Sequence, residues 1–421
     1  MEKAGATRKN GAIDRSPIHR WYQTVLGYSH ELVEDVLDRF GIGTRHRVID
    51  PFCGAATTLV ECLKRGVSCV GIDANPASCL VARVKTDQTL RPDRLRHLLA
   101  DVGERYGERL ATGYSVEGDP TYRYLHSAGM VERGWISPEP LRKVLVLKAS
   151  ILALGTSAQY KNALMLGLLA EVVNGASNVR FGPELYCVTA KLDSDVFGGF
   201  SQRIVMMIED INGLRGATGA TARVFEGDAR NYYDMLQFFR GERFSAVISS
   251  PPYPAEHDYT RNARLELALL EHVTSRESLR TIKKRMIRSH TKGIYKQDRD
   301  RLLVRDDIAV QSIVKEVRRK IVGKDYGFAR LYPRVVQEYF GGMKRHLRNM
   351  RRFLRPEAQC AYIVGDQSSY LRVHIPTAEL LSSIAEEVGF EVVEIRRWRT
   401  RWSTTTSKSL DENILVLRNP G

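Results

Sequence analysis

The 421-residue sequence lacks the features that mark several common protein classes. No run of about 18 apolar residues is present, so no membrane-spanning helix is predicted. The six cysteines are scattered without a C-x-x-C pair, which argues against a disulfide framework and against a zinc site. The first ten residues lack an apolar signal core and predict a basic tail. We therefore expect a cytoplasmic protein with reduced thiols and no structural metal.

Two nucleotide-binding signatures are also missing. The chain contains neither G-x-G-x-x-G nor G-x-x-x-x-G-K-[ST], the glycine-rich loops that cradle a pyrophosphate or a triphosphate. NAD, FAD and ATP are therefore poor fits as ligands.

Acidic residues are fewer than basic ones. Lys and Arg number 64 against 49 Asp and Glu, which gives a formal net charge of +15. An excess of this sign suits a polyanionic partner, although a basic surface without a specific partner explains it equally well. The cations cluster, and the candidate nucleic-acid-binding residues are Lys283, Lys284, Arg285, Arg288, Lys292, Arg397, Arg399 and Arg401.

A βαβ unit occupies the first quarter of the chain. Arg47–Ile49 reads as the end of a strand, Gly54 makes a tight turn into a helical stretch, and Ser68–Asp73 reads as a second apolar strand ending in an acid. In nucleotide-binding folds an acid in the position of Asp73 binds ribose hydroxyls. Asp50 stands at the turn, where a carboxylate repels a pyrophosphate but suits a ligand that carries an amino group. S-adenosylmethionine is such a ligand.

A second constellation begins with the apolar strand Phe244–Ile248, which stops at Ser249-Ser250-Pro251-Pro252-Tyr253. Each proline fixes its own φ and restricts the residue before it, so the carbonyls of the loop have set directions. An aromatic ring follows at once. This combination suits hydrogen-bond acceptance from a planar amino group and stacking on its ring. Upstream, another strand ends in Gly227-Asp228, where a carboxylate can accept from an adenine amino group.

Together these segments resemble the S-adenosylmethionine-dependent amino-methyltransferases of nucleic acids, especially the SPPY-type N4-cytosine DNA methyltransferases of bacterial modification systems. The similar segments are DPFCG-x-x-TT, GIDANP, GDAR and SPPY, in that order along the chain. Ala56 stands where this family usually has a second glycine. The resemblance implies an α/β fold with a Rossmann-like class I methyltransferase sheet, helices on both faces and a largely helical insertion.

The resemblance also implies a set of site residues. The catalytic residues would be Ser250, Pro251, Pro252 and Tyr253. The cofactor-binding residues would be Tyr22, Asp50, Phe52, Gly54, Thr57, Thr58, Asp73, Asn75, Asp228 and Ala229. The partner would be duplex DNA with a flipped target base, and a cognate restriction endonuclease would act as a separate protein.

Ser250 at the start of the loop favours the exocyclic amine of cytosine (N4) as the methyl acceptor. The chain has no Pro-Cys dipeptide, which argues against methylation of cytosine at carbon 5. Methylation of adenine at N6, methylation of an RNA amine, and a non-catalytic DNA-binding module on a methyltransferase fold stay open as alternatives.

The sequence divides into six predicted regions. They are a disordered basic tail at 1–16, an N-terminal closing segment and cofactor half at 17–85, a helical insertion at 86–220, a catalytic half at 221–260, a basic helical substrate-contact region at 261–332 and the remaining sheet at 333–421.

Overall fold

A computed structural model describes residues 16–22, 27–181, 185–211, 219–322, 327–403 and 407–421. The strands are β1 (Arg47–Asp50), β2 (Ser68–Asp73), β3 (Val179–Phe181), β4 (Leu185–Cys187), β5 (Ala222–Glu226), β6 (Phe244–Ser249), β7 (Leu354–Gly365), β8 (Glu391–Ser403) and β9 (Lys408–Arg418). The predicted basic tail falls almost wholly outside the described residues.

Helices connect most of these strands. They are α1 (His30–Arg39), α2 (Thr57–Lys64), α3 (Pro76–Lys85), α4 (Pro92–Ala111), α5 (Pro120–Ser127), α6 (Pro138–Leu152), α7 (Ala158–Glu171), α8 (Val196–Asp210), α9 (Tyr232–Phe239), α10 (Tyr259–Asn262), α11 (Arg264–Leu269), α12 (Arg276–Arg285), α13 (Ile308–Ile321), α14 (Tyr332–Arg351) and α15 (Thr377–Glu387). No described helix is long and apolar enough to cross a membrane.

Seven strands form one sheet in the order β5-β2-β1-β6-β7-β9-β8. Neighbouring strands from β5 to β7 are parallel, and β9 runs antiparallel to both β7 and β8. The chain moves outward from β1 to β2 and β5, and then returns to β6 on the other side of β1. The boundary between β1 and β6 is therefore the point at which the strand order reverses, where open α/β sheets bind their ligands.

Both faces of the sheet are covered by helices. Successive strand residues point to opposite sides of the sheet, so neighbouring residues join different cores. Val48 and Ala246 join a core formed with α1 and α2, whereas Ile49 and Val247 join a core formed with α9, α13, α14 and α15. Two helical layers on one sheet are the doubly wound arrangement. The α/β fold predicted from the sequence is thus confirmed.

The segment between β2 and β5 is largely helical, as predicted, and has a core of its own. Helices α4, α6, α7 and α8 bury their apolar sides together with the outer side of α3 and with α11. The structure also contains the short antiparallel strand pair β3–β4 in this segment. Helix α11 joins the insertion to the region that follows the catalytic half, because both contribute side chains to this core.

Strand lengths near the C-terminus exceed the predicted ones. The sequence predicts strands at Ala361–Asp366 and Glu391–Ile395, but β7 already begins at Leu354 and β8 continues to Ser403. The basic Arg396–Trp402 stretch therefore belongs to an edge strand paired with β9. Cross-strand pairing overrides the low strand signal of its charges.

Candidate functional site

An open cleft lies at the carboxyl edge of the sheet, at the reversal point between β1 and β6. Its cavity volume is about 200 Å³. The turns that follow β1, β2, β5 and β6 supply one wall, and the segment from Lys283 to Gly293 supplies much of the other. The insertion contributes Val173 and Phe181. The predicted cofactor turns and the predicted catalytic loop therefore share one cavity.

Asp73 faces this cleft from the end of β2. Its carboxylate accepts hydrogen bonds from the backbone N–H groups of Gly54 at 2.9 Å and Asn75 at 2.7 Å. Burial raises the pKa of the Asp73 carboxyl to about 6. Asn75 also lines the cleft, and its side chain caps α3 by accepting from the Ala77 N–H. Thus one carboxylate ties the β1 and β2 turns together at the cavity surface.

Asp50 lies behind the cleft wall and is fully buried. Its carboxylate accepts from the Ser249 hydroxyl at 2.5 Å, the Tyr28 hydroxyl at 2.8 Å and the Phe52 N–H at 3.1 Å. Thr58 is buried beside it, 2.5 Å from the same tyrosine oxygen. Asp50 and Thr58 thus hold β1, β6 and the N-terminal segment together without lining the cavity, while Phe52, Gly54 and Thr57 do line it.

The N-terminal segment also borders the cleft. Tyr22 and Tyr28 both line it, and the Tyr22 hydroxyl donates to Glu266 at 2.5 Å. The Lys85 ammonium donates to the Tyr22 carbonyl at 2.6 Å. Burial raises the pKa of Glu266 to about 7. This anchoring places an aromatic side chain and a carboxyl at the same rim.

The turn after β5 presents backbone to the cleft. Gly227 and Ala229 line it, whereas the Asp228 carboxylate is held by two N–H groups of Arg230 at 2.7 and 2.9 Å. His346 on α14 contacts the Ala229 carbonyl through Nδ1 at 2.8 Å. Burial lowers the pKa of His346 to about 4, so the ring is neutral. The structure therefore places Ala229 at the cavity and turns Asp228 toward Arg230.

The Ser250–Tyr253 loop is anchored on its far side to neighbouring strands. The Ser250 hydroxyl donates to the Ile363 carbonyl of β7 at 3.1 Å, which leaves its oxygen able to accept. The Tyr253 N–H donates to the Tyr259 hydroxyl at 3.0 Å. A Cβ at Gly365 would meet the Tyr253 ring at 2.9 Å, so the ring lies flush against the end of β7. All four loop residues line the cleft.

The predicted nucleic-acid-binding cations fall into two groups. Lys283, Arg285 and Arg288 line the cleft, and Lys284 and Lys292 are exposed near its mouth. Arg288 is buried in a two-point ion pair with Asp298, so its charge is already matched.

The second group lies on edge strand β8 and does not line the cleft, but Arg399 and Arg401 interact electrostatically with Tyr253 and Tyr259, which do. Arg399 pairs with Glu412 at 2.5 Å and Arg401 donates to the Asp366 carbonyl at 2.9 Å, while Arg397 is exposed.

Several cleft residues escaped the sequence analysis. Glu266, His257, Asn262 and His290 all line the cavity. Asn262 and His257 lie 2.7 Å apart between their side-chain nitrogens. Glu266, His257 and Asn262 follow the SPPY segment closely in the sequence, whereas His290 lies between the predicted cations Arg288 and Lys292. None of the four belongs to a spaced motif. In the described ranges no group of three or more His, Cys, Asp or Glu side chains is placed to hold a metal ion.

Comparison with known proteins gives a consistent class at low identity. No protein-family model matches the chain. Type II methyltransferase M.AvaI of Nostoc sp. is 24% identical over 445 residues, covering 96% of this chain and 87% of that protein. Type II methyltransferase M.BsoBI of Geobacillus stearothermophilus is 22% identical over 437 residues, covering 95% and 84%. Type II methyltransferase M.MjaII of Methanocaldococcus jannaschii is 42% identical over 73 residues, covering 17% and 13%.

Among solved structures, the rRNA methyltransferase aviRa of Streptomyces viridochromogenes aligns with a TM-score of 0.33 at 11% identity, covering 94% of this chain and 86% of that one. So low a score carries no argument about function. The sequence similarity spans nearly the whole chain. At 24% and 22% identity, the proteins to which the chain is similar over that length are Type II methyltransferases.

Proposed function

We propose that this protein is a DNA methyltransferase that transfers a methyl group from S-adenosylmethionine to the N4 amine of a cytosine. One observation carries the proposal: the Asp73 turn and the Ser250–Tyr253 loop meet in one cavity at the reversal point of the sheet. A cofactor site and an amine-binding loop in contact with the same cavity are what direct methyl transfer requires.

The residues at the cofactor end fit S-adenosylmethionine. The Asp73 carboxylate has oxygen lone pairs left for two ribose hydroxyls after accepting its backbone bonds. Phe52, Gly227 and Ala229 offer apolar and backbone surface for an adenine ring. The carboxyl of Glu266 at the rim would suit the ammonium of the methionine part.

The residues at the other end fit an aromatic amine. When bound, the cofactor supplies a sulfonium methyl group that is already activated. The Ser250 oxygen and the Pro251 carbonyl would accept hydrogen bonds from the two N–H groups of the target, which draws its nitrogen toward sp³ geometry. Tyr253 would stack on the base. Because the methyl group needs little further activation, orientation of the amine would contribute most of the rate.

The polymer that carries the base is proposed to be duplex DNA. The relatives are named Type II methyltransferases, and the net charge of +15 suits a phosphate backbone. A base inside a duplex cannot reach a cleft of this kind, so the target would leave the stack. A serine at the head of the loop is short and uncharged, which favours a pyrimidine. An endonuclease partner would act as a separate protein.

The test is mass spectrometry of nucleosides from DNA and RNA of cells that express the chain. N4-methylcytosine in DNA is the expected product. N6-methyladenine alone would overturn the base assignment, and modified RNA with unmodified DNA would overturn the polymer. Tyr253→Phe should retain activity, and Pro251→Ala combined with Tyr253→Ala should lose it, if stacking and the fixed carbonyl drive the reaction.

A further inference from the structure

A surface of cations and aromatic rings adjoins the mouth of the cleft. We call it the cation–aromatic face and define it by Arg280, Lys284, Lys292, Tyr295 and Phe328. It is continuous with the cavity at two points. Gly293, which lines the cleft, is the neighbour of Lys292 in the chain, and Arg288, which also lines the cleft, contacts the Tyr295 ring.

Three cations converge on one ring of this face. The guanidinium carbons of Arg280 and Arg288 lie 5.5 and 5.3 Å from the centroid of the Tyr295 ring. The Lys284 ammonium lies 5.9 Å from the same centroid. Arg288 is matched by Asp298, whereas Arg280 and Lys284 add like charge at the ring. The Tyr295 ring attracts these cations, and a phosphate would pair with Arg280 and Lys284 together.

Phe328 lies next to Lys292 of this face with 57% of its surface exposed. The Lys292 ammonium lies 5.9 Å from its ring centroid. Single exposed apolar side chains are common on protein surfaces, so exposure alone means little. Here the ring lies beside Lys292, whose neighbour Gly293 lines the cleft proposed for the base. A ring beside a cation is how proteins build platforms for nucleic-acid bases.

We propose that Phe328 stacks on a DNA base next to the extruded target, while Lys284, Lys292 and Arg280 bind the flanking phosphates. This proposal rests on the proposed function, because it assumes a DNA substrate with an extruded base. The stack that the target leaves would be replaced in part by the Phe328 ring, and the cations would hold the strand at the mouth of the cleft.

The test uses the full chain and a short duplex that carries the sequence methylated by the wild type. Phe328→Ala should weaken duplex binding about 5- to 150-fold in fluorescence anisotropy, the loss of one stacked base. Phe328→Trp should bind within about twofold of wild type, since stacking needs only a ring. The loss of duplex affinity in Phe328→Ala, relative to wild type, should be smaller when the target base is mismatched. A mismatched base is less well stacked, so less stacking has to be replaced when it leaves the duplex.

The matched control is Tyr114→Ala, which removes another exposed ring that has a cation, Arg109, at 4.9 Å but lies between α4 and α5, neither of which lines the cleft. It should bind DNA as the wild type does. Cofactor affinity by calorimetry should be unchanged in every variant, which excludes misfolding. If Phe328→Ala binds the duplex within about twofold of wild type, this inference fails while the proposed function stands. If the wild type methylates no DNA, both fail together.

Discussion

Asp73 is the residue on which cofactor affinity should depend most. Its carboxylate would accept hydrogen bonds from ribose hydroxyls, and bonds to a charged group contribute about 1.5–3 kcal/mol. Asp73→Asn keeps the shape of the side chain and removes the charge, so it should weaken S-adenosylmethionine binding by that amount. Isothermal calorimetry would measure it. Unchanged affinity, with an unchanged unfolding temperature, would remove Asp73 from the cofactor site.

Ionisation of Asp73 should also make cofactor affinity depend on pH. Burial raises the pKa of Asp73 to about 6, so in the free protein this carboxyl is protonated below that pH. Binding needs the ionised form and should therefore weaken as the pH falls through 6, by about tenfold at one pH unit below the pKa. Asp73→Asn cannot ionise and should lose the part of this slope that Asp73 contributes, leaving the part set by Glu266, whose pKa is about 7. A wild type with constant affinity from pH 7.5 to pH 5 would contradict the assignment.

Gly365 limits the position of the Tyr253 ring. A Cβ there would meet that ring at 2.9 Å and the Glu412 side chain at 3.3 Å, so Gly365→Ala should push the ring into the cleft. We expect a lower rate of methyl transfer, by up to about 100-fold for a misplacement on the ångström scale, with cofactor affinity retained. Single-turnover kinetics would measure the rate, and an unaltered rate would show that the ring position does not matter.

At the scale of elements, the turn after β5 and the end of α12 are joined through one buried side chain. The Arg230 guanidinium binds Asp228, Asp300 at 2.8 Å and the Lys284 carbonyl at 3.0 Å. The proposed cofactor turn and the proposed DNA-facing helix therefore share a rigid connection. A substitution that loosens the turn after β5 should therefore also displace the end of α12.

Arg230→Met should lower the free energy of unfolding by about 1.5–3 kcal/mol, because it removes charged hydrogen bonds to Asp228 and to the buried Asp300, which keeps its ion pair with Arg345. Denaturant unfolding would measure the loss. The control is Arg305→Met, whose ion pair with Asp306 is exposed at 72% and 84%, and it should unfold at the wild-type midpoint. In a double-mutant cycle, Asp300→Asn should cost less in the Arg230→Met background than alone. If the two losses in the free energy of unfolding are additive, Arg230 and Asp300 are not energetically coupled.

The elements predicted best are those with a strong local signal. The turn into α2 follows from short-range rules, and it appears in the structure. Ala56 was noted only as an unusual residue, whereas the structure shows it at φ 68°, a left-handed conformation that costs a non-glycine residue about 1–2 kcal/mol.

Other site features could not be read from the sequence because they depend on long-range contacts. The Tyr22–Glu266 contact joins residues 244 positions apart, and the burial of Arg288 depends on Asp298 and on the carbonyls of α12. Periodicity and spacing describe single elements. They do not show which cations remain exposed or which carboxylates turn away from a cavity, and the roles assigned to Asp50, Thr58 and Asp228 are thus still predictions.

At the scale of the whole molecule, the net charge of +15 predicts salt-dependent association with DNA. Each phosphate contact releases counterions, so the logarithm of affinity should fall linearly with the logarithm of salt concentration, with a slope of about −0.9 per phosphate. Filter binding across a salt series would measure it. Lys292→Gln should reduce the slope by about one. A flat response would indicate a partner other than a nucleic acid.

The hydrogen bond between Ser249 and Asp50 also bears on how the protein is made. It joins the ends of β6 and β1, which are 199 positions apart in the chain. During synthesis β1 can pair with β2 early, but its other edge must wait for β6. At ribosomal speeds that wait is about 10–40 s. An apolar strand edge that stays unpaired for so long can pair with other chains. Slow production at low temperature, or a chaperone that shields the nascent β1–β2 pair, should therefore raise the yield of folded enzyme.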